Sequence, residues 1–533
     1  MINLDESASK RLFERLDKLT EVSIALSAQK EPMQLLEQIL MGAKSLTHAD
    51  GGTLYTIKDK NRAHFEIVST DSLNFHMGGS SGSPITFADI PLYNEDHSPN
   101  DHMVVVCAAV HQTSVNVADA YVTKGGDRGF DFSGTRLFDE KTGYHSTSFL
   151  TVPMKDHEGE VIGVLQLINA QDPATGKVVS FSEADQRFIE ALASQAAAVL
   201  TKQGLILGLK QLFGAVLKML ANAIDDKSHY TAGHCNRVPV IADLLARAVN
   251  RVTQGPLKDV RFSEDDLYEL QVAAFLHDCG KIVTPTHIMD KATRLEGLYD
   301  KIHLIEMRFE ILKRDAEIAF LNARLEKKAD LQKHEADYSK LLAKMDEDFQ
   351  FLFECNRGFE VITAEKAARI KAICQQYQPW SSSEKKMTPL ITEEEKEDLL
   401  IPRGTLNVTE REVMKNHVVS TIRMLSDIPY PKHLKRVPEI AGCHHERFDG
   451  RGYPKGLRGE QMSVQARILA IADVFEALTA PDRPYKQQNS FSLALDVLGT
   501  MKNEGHIDPQ LYDVFIKEKV YSEYAKKLGI ADA

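Results

Sequence analysis

His277 and Asp278 stand side by side after an apolar helical run (Leu267, Leu270, Ala274) and are followed by Gly280 and Lys281. A second pair, His444-His445, opens the segment ERFDGRGYP. An isolated His-Asp dipeptide is expected about once by chance in a chain of this size, so the conjunction of the two pairs carries the argument. Asp473 strengthens it, because Leu469, Ala472 and Phe475 in ILAIADVFEALTA put it on a buried helical face. An ionised carboxylate buried without a partner costs several kcal/mol and must find a cation. For Asp473 alone that cation could be an arginine such as Arg467. Imidazoles and carboxylates together are instead the donor set of Fe, Mn, Zn and related divalent ions, whereas an all-oxygen shell suits Mg or Ca.

These segments resemble the HD-GYP family of cyclic-dinucleotide phosphodiesterases, a branch of the HD metal-dependent phosphohydrolases. HDCGK from His277 is similar to the family's HD-x-GK element, HHERFDGRGYP from His444 to HHE-x-x-DG-x-GYP, and IADVFEALTAPDRPYK from Ile471 to its closing signature. YTAGHCNRV from Tyr230 looks like the segment of the first histidine, and VTEREVMKNH from Val408 like the helix of the middle one. The resemblance implies one divalent ion held by His234, His277, Asp278 and Asp473 and another held by Asp278, His417, His444 and His445, with Asp278 bridging and Fe or Mn as the metals. Tyr230 stands where some members carry a glutamate for a third ion, so two ions are expected. His287 and His303 fall outside the pattern.

Two ions about 3.5 to 4 Å apart lower the pKa of a bridging water and neutralise charge gathering on phosphorus during in-line attack. In that chemistry Asp278 and Lys281 are the expected catalytic residues, Lys281 touching the scissile phosphate or the attacking hydroxide. Arg483 and Lys486 are expected to hold the second phosphate. The glycines of DGRGYP, Gly452 among them, let the backbone turn near the ligand, with Pro454 fixing the exit of the loop. Tyr453 either anchors this loop or lines a base pocket. The implied reaction is hydrolysis of cyclic di-GMP or 3',3'-cyclic GMP-AMP to the linear dinucleotide and onward to mononucleotides. Two other readings stand beside it: a regulatory module that recruits diguanylate cyclases, and a general HD nucleotide phosphohydrolase, which leaves HHE and GYP without an explanation. Cys235, Cys279 and Cys443 adjoin proposed ligands, but a neighbour on a helix points about 100° away, so they read as small buried spacers.

The elements that must position these residues divide the chain. Leu12, Leu16 and Leu19 give an N-terminal helix over 1–29. Helical spacing at Leu35, Leu36, Ile39 and Leu40 then leads into β-like runs GTLYTIK, HFEIVS, MVVVCAAV, SFLTVPMK and VIGVLQLINA, which predict an α+β domain over 30–200. LTHADGGTLYTI, NVADAY, FDEKTGYHSTSFLTVPM and GVLQLINA make that domain resemble a GAF sensor. Asn116, Phe138, Asp139 and Glu140 partly match the motif of cyclic-nucleotide-binding GAF domains, with Val117 in place of its lysine, so a small-molecule ligand is one expectation and an empty or dimerising domain the other. Ser182 and Asp185 cap a helix that continues through a connecting segment, 201–225. The expected architecture is therefore an α+β GAF-like sensor domain followed by an all-α HD-type metallohydrolase domain, 226–533. Because 140 positions separate His277 from His417, residues 291–404 read as a helical-hairpin insertion.

Composition bounds the rest. Sixty-four Lys and Arg against seventy-six Asp and Glu leave a net charge of −12, which argues against coating a nucleic-acid polymer or an anionic membrane. Six scattered cysteines without a C-x-x-C pair suit a reducing compartment, and the polar start MINLDESASKR lacks a secretory signal. No uninterrupted apolar run approaches about 18 residues, so a cytoplasmic chain with no membrane contact is expected, a homodimer through the helices flanking the GAF-like domain.

Overall fold

A computed structural model describes residues 6–29, 31–122, 129–227, 233–326, 331–381, 385–480 and 491–529. The chain divides into two compact units, Met1–Leu212 and Phe213–Ala533.

In the first unit, helices α1 (Glu6–Ala28) and α2 (Pro32–Thr47) precede strands β1 (Ala49–Lys58), β2 (Arg62–Thr70), β3 (Phe75–Gly78) and β4 (Ile90–Pro91). Helix α3 (Val104–His111), β5 (Val115–Val117), α4 (Ser133–Thr142), β6 (Phe149–Lys155), β7 (Val161–Gln171) and β8 (Val178–Val179) complete it, before helix α5 (Glu183–Asp225). The main sheet runs β3-β2-β1-β7-β6-β5, with each adjacent pair antiparallel. Successive side chains of a strand leave opposite faces, and both faces here are covered. Leu54, Leu165 and Leu167 pack under Leu35 and Ile39 of α2 and Ile189 and Leu192 of α5. Tyr55, Val164 and Phe149 pack under Val104 to Ala109 of α3.

Helix α3 corrects one expectation. MVVVCAAV reads as a strand by its β-branched residues, but Val104 to Ala109 are all buried in a helix. A short run that is apolar at every position has no period to separate the two conformations, and packing against the sheet decides. The Ser182-Asp185 cap forms as expected, with Ser182 N donating to Asp185 Oδ2 at 2.8 Å and Asp185 N to Ser182 Oγ at 3.2 Å. Helix α5 then runs for 43 residues without a break. It contains a stretch of mean hydropathy 1.5, long and apolar enough by length and composition to cross a membrane, although Lys210 and Lys218 interrupt its apolar residues.

The second unit is helical: α6 (His234–Arg251), α7 (Glu264–Leu276), a 3-10 turn (Cys279–Val283), α8 (Thr286–Met289), α9 (Ile302–Leu325), α10 (Leu331–Asn356), α11 (Ala364–Gln376), a two-stranded ribbon of β9 (Trp380–Ser381) and β10 (Lys386–Met387), and α12 (Glu393–Leu399). Helices α13 (Val408–Ser426), α14 (Val437–Gly442), α15 (Val464–Thr479), α16 (Phe491–Asn503), α17 (Pro509–Lys517) and α18 (Val520–Lys527) follow. Val238, Ile241 and Leu245 of α6, Leu270 and Ala274 of α7, and Ile468, Ala472 and Phe475 of α15 form its main core with Phe515 and Tyr524.

Residues 291–404 are more than a hairpin. Helices α9 and α10 pack with α11 and α12 around a separate core that includes Leu295, Phe309, Leu352, Ile370, Tyr377 and Leu399. Fully buried Arg294 closes it, donating to the carbonyls of Ile401 (3.0 Å), Cys355 (2.6 Å), Arg357 (2.5 Å) and Glu360 (2.6 Å). Its two ends meet, because Thr405 Oγ1 donates to the Lys291 carbonyl at 2.9 Å and Lys291 Nζ pairs with Glu410 at 2.8 Å. Glu410 is also the third residue of the Asn407 capping box that starts α13.

Candidate metal centre

A capping box between Ser263 and Asp266 starts α7, and the helix ends by delivering His277 at its C-cap and Asp278 directly after. Both side chains are buried. The chain then tightens into the 3-10 turn, where Gly280 allows an approach no other residue could make: a Cβ there would lie 1.9 Å from the His417 carbonyl oxygen. Gly280 N donates to Thr421 Oγ1 at 2.9 Å, and Thr421 Oγ1 donates to the His277 carbonyl at 3.0 Å. The HD-x-GK element is thereby pinned to α13, and His417 is brought to Asp278 across 139 positions of sequence. His234 opens α6 behind Gly233, which adopts φ 74°. His444 and His445 follow α14, and Asp473 faces inward from the middle of α15.

These placements bring together all seven residues read from the sequence as metal ligands. Asp278 Oδ2 lies 3.3 Å from His277 Nε2 and 3.5 Å from His234 Nε2, while its other oxygen, Oδ1, lies 3.4 Å from His417 Nε2 and 3.8 Å from His444 Nε2. Asp473 Oδ1 is 3.2 Å from His234 Nε2 and 3.7 Å from His277 Nε2. The donor atoms form two clusters, His234 with His277 and Asp278, and His417 with His444 and His445, within each of which they lie at most 4.8 Å apart.

The imidazoles are oriented by one repeated device. His277, His417 and His444 each donate Nδ1–H to the carbonyl three residues back, Ala274 (2.8 Å), Met414 (2.5 Å) and Ala441 (2.6 Å). A carbonyl only accepts, so the proton sits on Nδ1 and Nε2 is the atom presented to the cluster. His417 Nε2, His444 Nε2 and Asp278 Oδ1 are buried with no hydrogen-bond partner among the described residues. Buried lone pairs that converge in this way without a hydrogen-bond partner are a donor set that fits a cation.

The protonation of these groups divides along the same line. Burial makes Asp278 harder to ionise, but Lys281, with Nζ 2.6 Å from Oδ2, and His277 outweigh it and hold the carboxyl well below its usual range. Burial likewise opposes a proton on His277, yet Asp278 and Asp473 lift that imidazole to about 10. On the other side burial dominates: His417 and His444 are pushed down, and His445 falls to about 4. Arg467 bonds Asp508 rather than Asp473, which leaves the histidines as the partners of Asp473.

Two buried glutamates complete the surroundings, and neither was singled out from sequence. Glu476, one helical turn after Asp473, bonds His234 Nδ1 and is itself held by Arg237 Nε at 2.6 Å. Its i, i+3 spacing from Asp473 was the available signal. Glu446 of HHE accepts from Lys455 N at 2.7 Å and Leu457 N at 2.9 Å, clamping the ends of the GYP loop. Gly452 is packed against that glutamate's own backbone, a Cβ there falling 2.3 Å from Arg447 N. The Tyr453–Pro454 peptide is cis, and the Tyr453 ring lies 4.9 Å from that of His445.

Other sequence-derived candidates fall elsewhere. His287 is exposed, and His303 pairs with Glu306 at 3.2 Å. Burial raises the Cys279 thiol to about 11 and the Cys443 thiol to about 12, which opposes thiolate ligation. Tyr230, Arg483 and Lys486 lie outside the described residues. In the first unit, a cavity of about 410 Å³ is walled by Tyr55, Phe65, Phe138, Tyr144 and Phe149. Of the four residues read as a GAF ligand motif, Phe138 lines it. Asn116 instead donates to the Phe181 carbonyl, Asp139 accepts from Ser146 and Tyr121, and Glu140 is exposed.

Comparison with known proteins agrees with this division. A model of the GAF domain matches residues 31–200, and two models of the HD domain match residues 231–371 and 395–511. A 3'3'-cGAMP-specific phosphodiesterase of Vibrio cholerae is 35% identical over 137 residues, 26% of this chain and 30% of that protein. A cyclic di-GMP phosphodiesterase of Pseudomonas aeruginosa is 39% identical over 114 residues, 21% and 26% of the respective chains. A cyclic di-GMP phosphodiesterase of Thermotoga maritima is 34% identical over 119 residues, 22% and 32%. The chain thus spans less than a third of the length of each of these three relatives. Among solved structures, the GAF domain of an Acinetobacter phosphoenolpyruvate-protein phosphotransferase aligns at 17% identity and TM-score 0.27, covering 36% of this chain and 96% of that one.

Proposed function

We propose that this chain, in which a GAF domain precedes an HD domain, is a metal-dependent phosphodiesterase that hydrolyses a cyclic dinucleotide, cyclic di-GMP or 3',3'-cyclic GMP-AMP. The observation that carries the reading is the two-sided use of Asp278, one oxygen facing His234 and His277 and the other facing His417 and His444. In this reading His234, His277, Asp278 and Asp473 hold one divalent ion, and Asp278, His417, His444 and His445 hold another. Such a pair, when bound, supplies hydroxide at neutral pH and neutralises charge on phosphorus. The nitrogen-rich donor set favours Fe or Mn.

The chain's own groups then have definite tasks. Carbonyl-bound Nδ1 atoms keep three imidazoles from rotating away. The Lys281 ammonium, held at Asp278, is placed to neutralise a scissile phosphate oxygen. Arg483 and Lys486 would hold the second phosphate. Gly452, Tyr453 and Pro454 form the wall of the substrate site beside His445. A ligand of the GAF cavity regulates turnover, and diguanylate cyclases are candidate partners.

The chain is read as cytoplasmic, which its six free cysteines favour. Exposed Leu205, Leu209, Leu212, Val216 and Met219 of α5 step by four and three, the pattern of a two-helix seam, so we read this helix as a homodimer contact rather than a membrane span. Light scattering that reports a monomer at working concentration counts against that contact.

The deciding experiment is turnover of each cyclic dinucleotide by the purified chain with its metal content measured, alongside Asp278→Ala. Loss of both metal equivalents and at least about 100-fold of activity is expected, since even residues outside a metal's own ligands typically cost 10–100-fold. Full activity in Asp278→Ala would refute the reading.

A further inference from the structure

Lys227 lies just past the last residue of α5 and has no part in the metal centre described above. Its ammonium reaches across more than fifty positions of sequence to the turn Cys279–Val283, where it donates to the carbonyls of Lys281 (3.0 Å), Ile282 and Thr284 (2.7 Å). An ammonium has three donors, and here each meets a backbone acceptor at the end of the turn that begins with Asp278. Lys281 is consequently gripped at two points, its carbonyl by Lys227 and its own ammonium by Asp278 at 2.6 Å. The same helix end also holds the start of α6. Asp225 Oδ1 accepts from Cys235 N at 3.4 Å, and Asn236 Nδ2 donates to Asn222 Oδ1 at 2.8 Å, so both residues that follow His234 are held. Leu217, Ala221 and Ile224 bury the inner face of this last stretch of α5 in the core of the helical unit.

We propose that Lys227 is a positioning residue of the metal centre: by donating to the carbonyls of Lys281, Ile282 and Thr284, at the end of the Cys279–Val283 turn, it fixes the aim of Asp278 and Lys281, and it makes the end of α5 part of the support on which that centre stands. The inference rests on the phosphodiesterase reading only for its kinetic consequence. Its structural content is that a backbone turn carrying a bridging carboxylate keeps its shape through a side chain from another element, and such outer contacts tune a metal site almost as strongly as the ligands. It also assigns the last turn of the helix that begins beside the GAF fold a specific task, that of holding the two segments that carry His234 and Asp278.

The test uses the full chain with Lys227→Met, which keeps the apolar stem without the donors, and Lys227→Arg, which keeps a donor fork. Mn²⁺ affinity by titration, kcat and KM for cyclic di-GMP, and the unfolding temperature are measured for each. Lys227→Met is expected to weaken Mn²⁺ binding about tenfold and to lower kcat by about the same factor, with KM within about twofold of the parent. Lys227→Arg is expected to recover both to within about threefold. If Lys227→Met does not fold, Lys227→Gln, which retains an amide donor, is read against the same expectation. Mn²⁺ affinity and kcat within about twofold of the parent in the folded Met or Gln variant overturn the proposal. A parent chain that binds Mn²⁺ but hydrolyses no cyclic dinucleotide defeats the phosphodiesterase reading alone, because the Mn²⁺ comparison still decides the role of Lys227.

Discussion

At the scale of single residues, the metal centre depends on which protons are present. His277, lifted to about 10 by Asp278 and Asp473 against the effect of burial, carries a proton at neutral pH that an incoming ion must displace. His445, held near 4 by burial, does not. His234 is raised as well, by Asp473 and Glu476 against burial, so raising the pH removes competing protons and Mn²⁺ affinity should climb between about pH 6 and 8, by about tenfold per pH unit for each proton displaced. Calorimetric titrations in two buffers of different ionisation enthalpy check this, and a flat affinity would sink it. Glu476 acts from behind. Replacing it by Gln removes the charge that steadies His234 while keeping its shape, and a loss of about 10–100-fold in Mn²⁺ affinity is expected, read against the full occupancy of the parent. That glutamate was open to sequence reasoning only through its spacing from Asp473. The histidine and aspartate ligands were legible because few residue types suit a cation and they cluster in short motifs.

Among the elements, the turn after α7 and helix α13 show how a motif glycine is explained by contact rather than by flexibility. Gly280→Ala would drive a methyl group into the His417 carbonyl, so the two elements must part. The expected cost is about 1–3 kcal/mol of stability, measured by denaturant unfolding, together with loss of metal from a chain that still folds. Retention of the parent's stability would show that the contact yields more easily than its geometry suggests. Helix α5 was readable from its Ser182-Asp185 cap and period, α7 from its apolar spacing and α13 only through the resemblance of VTEREVMKNH, while β1, β2, β6 and β7 followed from alternating or β-branched runs. The helix Val104–His111 was not, since its burial comes from a sheet assembled by segments on both sides of it in sequence.

For the molecule as a whole, the division into a sheet-based unit and a helical unit followed from the change in period near residue 200, but the character of residues 291–404 did not. The long interval between His277 and His417 suggested a hairpin, whereas the segment carries its own core, closed by an arginine bonded to four carbonyls, those of Cys355, Arg357 and Glu360 around the end of α10 and that of Ile401. No sequence pattern announces such a hub, because its acceptors are backbone atoms. Among the described residues, none of the buried residues in the main helical core comes from this segment, and its own core draws on nothing outside it. A chain in which Lys291 is joined to Thr405 through about four Gly or Ser residues is therefore expected to fold and keep its metal equivalents, with a melting temperature within about 5 °C of the parent. An insoluble or metal-free product would contradict it.

The meeting of Lys291 with Thr405 and Glu410 has a wider consequence. Because the excursion leaves and re-enters through a single doorway, its length is invisible to the ligands on either side: His277 and His417 are neighbours through a short bridge, whatever is hung beyond it. A long unstructured stretch in the same place would levy an entropic toll on bringing those histidines together, and a folded appendage with touching feet does not. The helical scaffold can in this way carry an additional module without any change to its own interior.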